Sequence, residues 1–380
     1  MNPKSTFTIY FNNTIAFILF SILRFTLPKG FKGNNILFIN TGQIGDLMIS
    51  TVIINNIDSL TDKGRTVYFL LKEEYTELYS GFGNKIKLIP WNYKKYKYNL
   101  FYRVRFLISL RSLNLKYCFN LTAARGVTVD ELALLSGAEK IYALNSNFKY
   151  LEKLFGIQLD KLYSNILAKS TNNEYEKHLE VLKIFSETNS FRGTTLTISP
   201  DKFSALEAKL NFDINTKYIV ISPFSDSEIK NWSANNFHEL VTLILKNFSY
   251  LLIILIGKGS QRSRIAKLFP EASQILNLAG ELTISESAII VKNASIFIGN
   301  DSGFTHIAKA FQINTIALIG GGSNGYFLPY NVKNNEYYFY HQTECFRCEW
   351  RCKHKRPYCL TEISVISVYK TIEELLYEHS

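Results

Sequence analysis

Twice along this chain, short apolar runs alternate with segments of helical length. The first series comprises "NILFIN" (35–40), "TVYFLL" (66–71), "KIKLIP" (85–90) and "KYCFNL" (116–121). The second comprises "KYIVIS" (217–222), "YLLIILIG" (250–257), "SQILNLAG" (273–280), "SIFIGN" (295–300) and "NTIALIGGG" (314–322). Runs this short and this apolar read as buried strands, and the helical stretches between them predict parallel sheets with helices on both faces. "NEYEKHLEVLKIFSE" (173–187) predicts an amphipathic helix, and the polar "TNSFRGTT" after it reads as a linker. A chain of 380 residues suits two lobes of roughly 150–200 residues each. The expected divisions are an apolar N-terminal helix over 1–32, one lobe over 33–190, a second over 191–340 and a cysteine-rich segment with a helix over 341–380. Two such α/β lobes predict a ligand cleft between the carboxyl ends of their strands.

Charge narrows the choice of partners without deciding it. The apolar fraction of 47% and charged fraction of 20% are those of a globular chain, but the net charge of +11 asks for a partner. Nucleic acid, anionic lipid and a phosphorylated substrate all fit. "TIAFILFSILRFTL" (14–27) is short for a membrane span and lacks the flanks of a secretory signal. It reads as an interfacial helix lying on a membrane, with a core helix as the alternative. "YKKYKYNLFYRVRFLISLRSLNLKY" (93–117) interleaves basic and aromatic residues. That pattern suits anionic lipid or single-stranded nucleic acid. The apolar N-terminal helix favours lipid, and no nucleic acid is expected. The predicted location is cytoplasmic, peripheral to the inner face of the cytoplasmic membrane, with reduced cysteines.

The chemistry-bearing residues fall where strands end. Asp301, Ser302 and Gly303 follow "SIFIGN" and begin the helical "FTHIAKAF", so backbone N–H groups there favour an anion such as a diphosphate. The alternative is a simple helix cap. His306 alone reads as a packed or capping residue. Ser302 lacks the G-x-S-x-G elbow of a serine hydrolase, and no D-x-D occurs to hold a catalytic metal. "ISPFSDSEIKNWSANNFHEL" (221–240) offers Ser222, Ser225 and Lys230, the last a cation suited to a phosphate leaving group. "IGKGSQ" is an incomplete dinucleotide fingerprint, and "GGGSNG" (320–325) permits close backbone approach without naming a ligand. In "TGQIGD", Asp46 reads as either a catalytic carboxylate or a helix cap.

As a set, "ILFINTGQIGDLMISTVIINNI", "ISPFSDSEIKNWSANNFHEL" and "LAGELTISESAIIVKNASIFIGNDSGFTHIAKAFQINTIALIGG" resemble the family-9 glycosyltransferases, the ADP-heptose:lipopolysaccharide heptosyltransferases. The resemblance implies a GT-B architecture of two Rossmann-like lobes facing an interlobe cleft, and inverting, metal-independent transfer of heptose from ADP-heptose to a lipopolysaccharide-type glycolipid. Transfer to protein hydroxyls, and an inactive sugar-nucleotide or lipid-binding protein, are the alternatives. Asp46 would be the general base, with Gly45 and Arg125 on the acceptor side. The donor side would take Ser222, Ser225 and Lys230 at the phosphates, Asp301, Ser302 and Gly303 at the sugar-diphosphate, Leu282 beside the base, and His306 supporting the helix start. The acid that commonly meets the ribose in that family is replaced by Lys258, Ser260 and Gln261.

Four of the five cysteines, Cys345, Cys348, Cys352 and Cys359, lie close together in sequence, whereas Cys118 stands in a predicted strand. Four thiolates can enclose zinc or iron, with His354 as a substitute ligand. Such a metal would be structural, and no catalytic cofactor is expected. Reduced free thiols are the alternative, with disulfides disfavoured by the compartment.

Overall fold

The computed structural model describes residues 3–28, 30, 33–61, 64–146, 158–188, 190–269 and 272–377. The chain divides into two compact units, Met1–Gly193 and Thr194–Ser380, and the boundary falls inside the polar stretch 188–195.

The first unit holds six parallel strands: β1 (Asn35–Ile39), β2 (Val67–Lys72), β3 (Lys87–Trp91), β4 (Leu115–Asn120), β5 (Lys140–Leu144) and β6 (Asn165–Leu167). Their order is β3-β2-β1-β4-β5-β6. Ile36, Leu37, Phe38 and Ile39 of the central strand are fully buried, as expected where helices cover both faces of a parallel sheet. Phe38, Phe119 and Tyr142 stack in turn across β1, β4 and β5, with centroid separations of 5.3 and 5.0 Å. β5 and β6 extend the sheet beyond the four strands expected from sequence. β6 has only three residues and β5 is exposed or half-buried at three of five positions, so neither presents an apolar run.

The helix Pro3–Thr26 divides its apolar residues between a packed side, as the core-helix alternative expects, and an exposed one. Ala16, Phe20 and Leu23, spaced to share one face, join a core with Leu107, Leu110, Leu132 and Ala133. Ile15, Ile18, Ile22 and Phe25 are exposed, Phe25 at 86%. Among the described residues, no helix is long and apolar enough to cross a membrane.

The second unit repeats the design with β7 (Tyr218–Ser222), β8 (Leu252–Leu255), β9 (Ile275–Asn277), β10 (Ile296–Asn300), β11 (Asn314–Leu318) and β12 (Glu336–Phe339), ordered β12-β11-β10-β7-β8-β9. β12, "EYYF", is an additional strand that the sequence reading lacked. β7 and β10 are buried along their full length. The C-terminal helix Val365–Tyr377 belongs to this unit: Val368, Ile372 and Leu376 enter the same core as Leu240 and Ile244.

Both units therefore share one winding, in which the connection leaves β1 or β7 to one side and β4 or β10 to the other. The crevice at such a reversal, at the carboxyl ends of the strands, is where open α/β sheets bind ligands. The loops after β1 and β4, and after β7 and β10, carry the motifs singled out from sequence.

Candidate active site

In the first unit, Asn40 directly follows β1 and organises the loop there. Its Oδ1 accepts from Gly42 N at 3.0 Å and its Nδ2 donates to the Asp46 carbonyl at 3.1 Å. Thr41 N donates to Thr122 Oγ1 at 3.1 Å, tying this loop to the one after β4. Asp46 lies in the first turn of the helix Ile44–Asn55, where Oδ2 accepts from Gln43 N at 2.8 Å. The helix-capping reading of Asp46 thus has its hydrogen bond, which also orients the carboxylate. A Cβ at Gly42 would come within 2.4 Å of Oδ2, so glycine is what lets the carboxylate lie over the loop. Gly45 sits half-buried one residue before Asp46.

Around Asp46 the helix Glu174–Leu182 contributes a second acid. Glu174 is buried, its Oε1 accepts from Lys177 Nζ at 2.7 Å, and its Oε2 has no hydrogen-bond partner. Burial foremost, with the Asp46 charge adding to it against the pull of Lys177, raises the Glu174 carboxyl to about 7. Arg125, in the loop after β4, is also buried: Nη1 meets Asp130 at 3.1 Å and Nη2 meets Asp160 at 2.7 Å. Its guanidinium lies 5.3 Å from the Tyr163 ring centroid. Its charge is largely spent within the unit.

In the second unit, Asn300 ends β10 and binds both ends of the loop after β7, accepting from Trp232 N and donating to the Pro223 carbonyl, each at 2.8 Å. Ser302 occupies the cap position of the helix Gly303–Phe311, yet its side chain makes no capping bond. Its Oγ is buried without a partner, and so is Ser222 Oγ at the end of β7. Burying a hydroxyl unpaired costs about 1–3 kcal/mol, and both hydroxyls lie at the reversal point beside a helix start that favours anions. The Ser302 side chain therefore does not cap this helix.

Asp301 Oδ2 accepts from Lys230 Nζ and from Ser323 Oγ, each at 3.1 Å. Burial acts to raise its carboxyl, but Lys230, His306 and these hydrogen bonds outweigh it and hold the group below its ordinary value. Asp301 is ionised at neutral pH. His306 stacks on Tyr330 at 5.8 Å between centroids, and burial depresses its imidazole to about 4 against the pull of Asp301. It is a neutral packed residue, as its position in the helix suggested. Ser225 spends its hydroxyl locally, donating to the Ser227 carbonyl at 2.9 Å. Leu282 is half-buried and follows β9, two strands away from β7. The structure thus gathers Ser222, Lys230, Asp301, Ser302 and Gly303, places His306 behind them, and leaves Leu282 further along the sheet edge.

Two residues here carried no sequence signal: Ser323, inside the glycine-rich turn, and Trp350. Trp350 Nε1 donates to Ser323 Oγ at 3.2 Å.

Cys359 is buried and Cys345, Cys348 and Cys352 are half-buried, all as free thiols. Burial, then the neighbouring Cys348, Cys359 and Cys345, raises the Cys352 thiol, so the four lie within electrostatic reach of one another. Among the described residues, however, no group of three or more His, Cys, Asp or Glu is arranged to hold a metal ion. The sequence cluster is a spatial neighbourhood without a preformed coordination shell.

A family model for "Glycosyltransferase family 9 (heptosyltransferase)" matches residues 146–356, more than half of the chain. The chain belongs to glycosyltransferase family 9. The family-9 match spans the loops after β7 and β10 and begins beyond Asp46, which rests on its own motif and geometry. Lipopolysaccharide heptosyltransferase 3 of Escherichia coli K12 is 26% identical over 160 residues, 41% of this chain and 46% of that protein. The chain spans about half the length of the curated family-9 relatives it matches. In fold, it is similar to E. coli ADP-heptose LPS heptosyltransferase II, with a TM-score of 0.70 at 15% identity over 91% of this chain and 99% of that one. It is also similar to TibC of enterotoxigenic E. coli, described as a dodecameric iron-containing heptosyltransferase in complex with ADP-D-β-D-heptose. There the TM-score is 0.58 at 13% identity, covering 92% of this chain and 78% of TibC. The fold of this family-9 chain is accordingly GT-B.

Proposed function

We propose that this protein is an inverting glycosyltransferase that moves heptose from ADP-heptose to a lipopolysaccharide-type or related cell-envelope glycolipid. The observation that carries the reading is the pair of partnerless buried hydroxyls, Ser222 and Ser302, beside the Asp301–Lys230 pair at the start of a helix. A sugar diphosphate would satisfy both hydroxyls, draw on Lys230, and leave the ionised Asp301 to accept from sugar hydroxyls. Ser225 and Gly303 shape the loops that meet the phosphates, and Leu282 lies toward the base.

In this reading the acceptor hydroxyl oxygen attacks the anomeric carbon and its proton passes to the Asp46 carboxylate. The bond from anomeric carbon to diphosphate oxygen breaks, its electron pair leaves with the diphosphate, and the anomeric configuration inverts. Lys230 and the helix N–H groups stabilise the charge that develops on the leaving group, so the chemistry asks for no catalytic metal. Gly45 and the loop stiffened by Arg125 belong to the acceptor side. Cys345, Cys348, Cys352 and Cys359 are the set that would close on a structural zinc or iron, away from the reacting atoms.

The reading of acceptor and location is supported by the exposed apolar face of the N-terminal helix, together with exposed Tyr98, Leu100 and Phe101 and exposed Lys94, Lys95 and Arg105. Apolar side chains with basic neighbours fit an anionic bilayer, which supports a location at the inner face of the cytoplasmic membrane, where a phosphorylated glycolipid would be presented.

The test is a panel of ADP-, UDP-, GDP- and CMP-sugars read by thermal shift, because a ligand bound by the native state raises its apparent stability. ADP-heptose is expected to raise the melting temperature and then to support transfer to a glycolipid. No response to any ADP-sugar removes heptose from the assignment. Under a chelator the donor response should persist while a structural metal, if held, shows as a lowered melting temperature.

A further inference from the structure

We infer that the cysteine-rich segment completes the donor side of the second unit, and that Trp350 is the residue through which it positions Lys230 and Asp301. The inference rests on the donor site proposed above and adds a part of the chain that the reading does not use.

The contact is built into the backbone. Arg347 N donates to the Gly321 carbonyl at 2.7 Å and Glu349 N to the Gly322 carbonyl at 2.9 Å, fastening the segment along the glycine-rich turn. The indole of Trp350 then lies against two of the glycines: a Cβ at either Gly320 or Gly322 would come within 2.4 Å of its ring atoms. Phe346 sits in the same way on Gly321. The turn is glycine-rich because two aromatic rings need its surface.

From there a closed circuit reaches the donor residues. Trp350 Nε1 donates to Ser323 Oγ, Ser323 Oγ donates to Asp301 Oδ2, and Asp301 Oδ2 also accepts from Lys230 Nζ. The circuit closes where Lys230 Nζ lies 5.5 Å from the centroid of the Trp350 ring, within range of a cation–π attraction. When a diphosphate draws Lys230 away from Asp301, Ser323 keeps the carboxylate in place and the indole face keeps the ammonium near the phosphates. Backbone conformation supports a positioning role: Arg347, Glu349 and Trp350 hold φ of 64°, 52° and 62°, a left-handed region unfavourable to side-chain-bearing residues. Strain of this kind survives where surrounding contacts over-determine it, and it collects at functional sites.

The experiment measures binding of inorganic diphosphate and of ADP to the full chain by calorimetry, and donor and acceptor KM with ADP-heptose. Trp350→Ala is expected to weaken both ligands by about tenfold, the loss of a cation–π contact and an ordered hydrogen bond together. Donor KM should rise while acceptor KM stays constant. Trp350→Phe retains a ring for Lys230 and should recover part of the loss. Should Trp350→Ala fail to fold, Ser323→Ala breaks the same circuit without disturbing the ring contacts and should weaken diphosphate binding in the same direction. Folded variants that bind diphosphate and ADP as the wild type does, or that raise both KM values equally, overturn the inference alone. A wild type that binds neither ligand overturns the donor site and this inference with it.

Discussion

Asp46 shows how one side chain can be both a structural cap and a candidate base. Its Oδ2 holds the Gln43 N–H, which orients the carboxylate, and the capping role makes Asp46→Asn an informative variant because the amide oxygen can still accept. That substitution should leave stability within about 1 kcal/mol and ADP binding unchanged. Turnover should fall by about 10²–10⁴, the usual contribution of a positioned general base. Steady-state transfer assays set against urea unfolding decide the matter, and activity within a few-fold of wild type would remove Asp46 as the base. Sequence made Asp46, Ser222, Lys230 and the 301–303 turn legible because each lies between the end of an apolar strand and the first turn of the helix that follows. Ser323 and Trp350 were not legible, since their importance comes from a fold-back of the chain that brings residue 350 against residue 320. Arg125 was legible as a residue but not in its environment: two carboxylates from later in the chain, Asp130 and Asp160, absorb its charge.

At the scale of elements, the fully buried β7 and β10 and the largely buried β1 and β4 were readable as apolar runs. β5, β6 and β12 were not: β6 has only three residues, and β5 and β12 are mostly exposed or half-buried, so no apolar run marked them. The N-terminal helix makes a sharper case, since its apolar residues serve two environments and composition alone cannot divide them. Phe20 belongs to the core and Phe25 to the surface, so the two phenylalanines should behave differently. Phe20→Ala should cost about 3–5 kcal/mol in denaturant unfolding, whereas Phe25→Ser should stay within about 0.5 kcal/mol. In co-sedimentation with vesicles containing anionic lipid, Phe25→Ser should release the protein while stability is kept. Equal binding by wild type and Phe25→Ser would remove this face as the membrane contact.

At the scale of the molecule, three buried groups set an opposing dependence of stability on pH. His178 and His306 are each depressed by burial from 6.5 to about 4. Between those values the unfolded chain binds their protons and the folded chain does not, so their contribution to stability is lost as pH falls. Glu174 has the opposite sign: raised from 4.5 to about 7, it is protonated in the folded chain first, and its contribution is lost as pH rises through 7. From pH 4.5 to 6.5 two histidine terms oppose one carboxyl term, leaving about one proton, or roughly 1.4 kcal/mol per pH unit, in favour of higher pH. His178→Gln removes one histidine term, and the slope from these groups should flatten. Urea midpoints measured across that range check this, and an unchanged slope would mean that His178 titrates normally in the folded protein.

The glycine-rich turn at 320–322 has a consequence for how variation in this chain is interpreted. In a saturation scan, these three positions should tolerate almost nothing and so resemble catalytic sites, and in a nucleotide-binding fold a glycine run invites comparison with a phosphate-gripping loop. Their intolerance has a different origin. They are the seat of two aromatic rings, and a paired change that shrinks Trp350 or Phe346 should restore tolerance at the glycine beneath, a compensation that no phosphate-binding glycine would show.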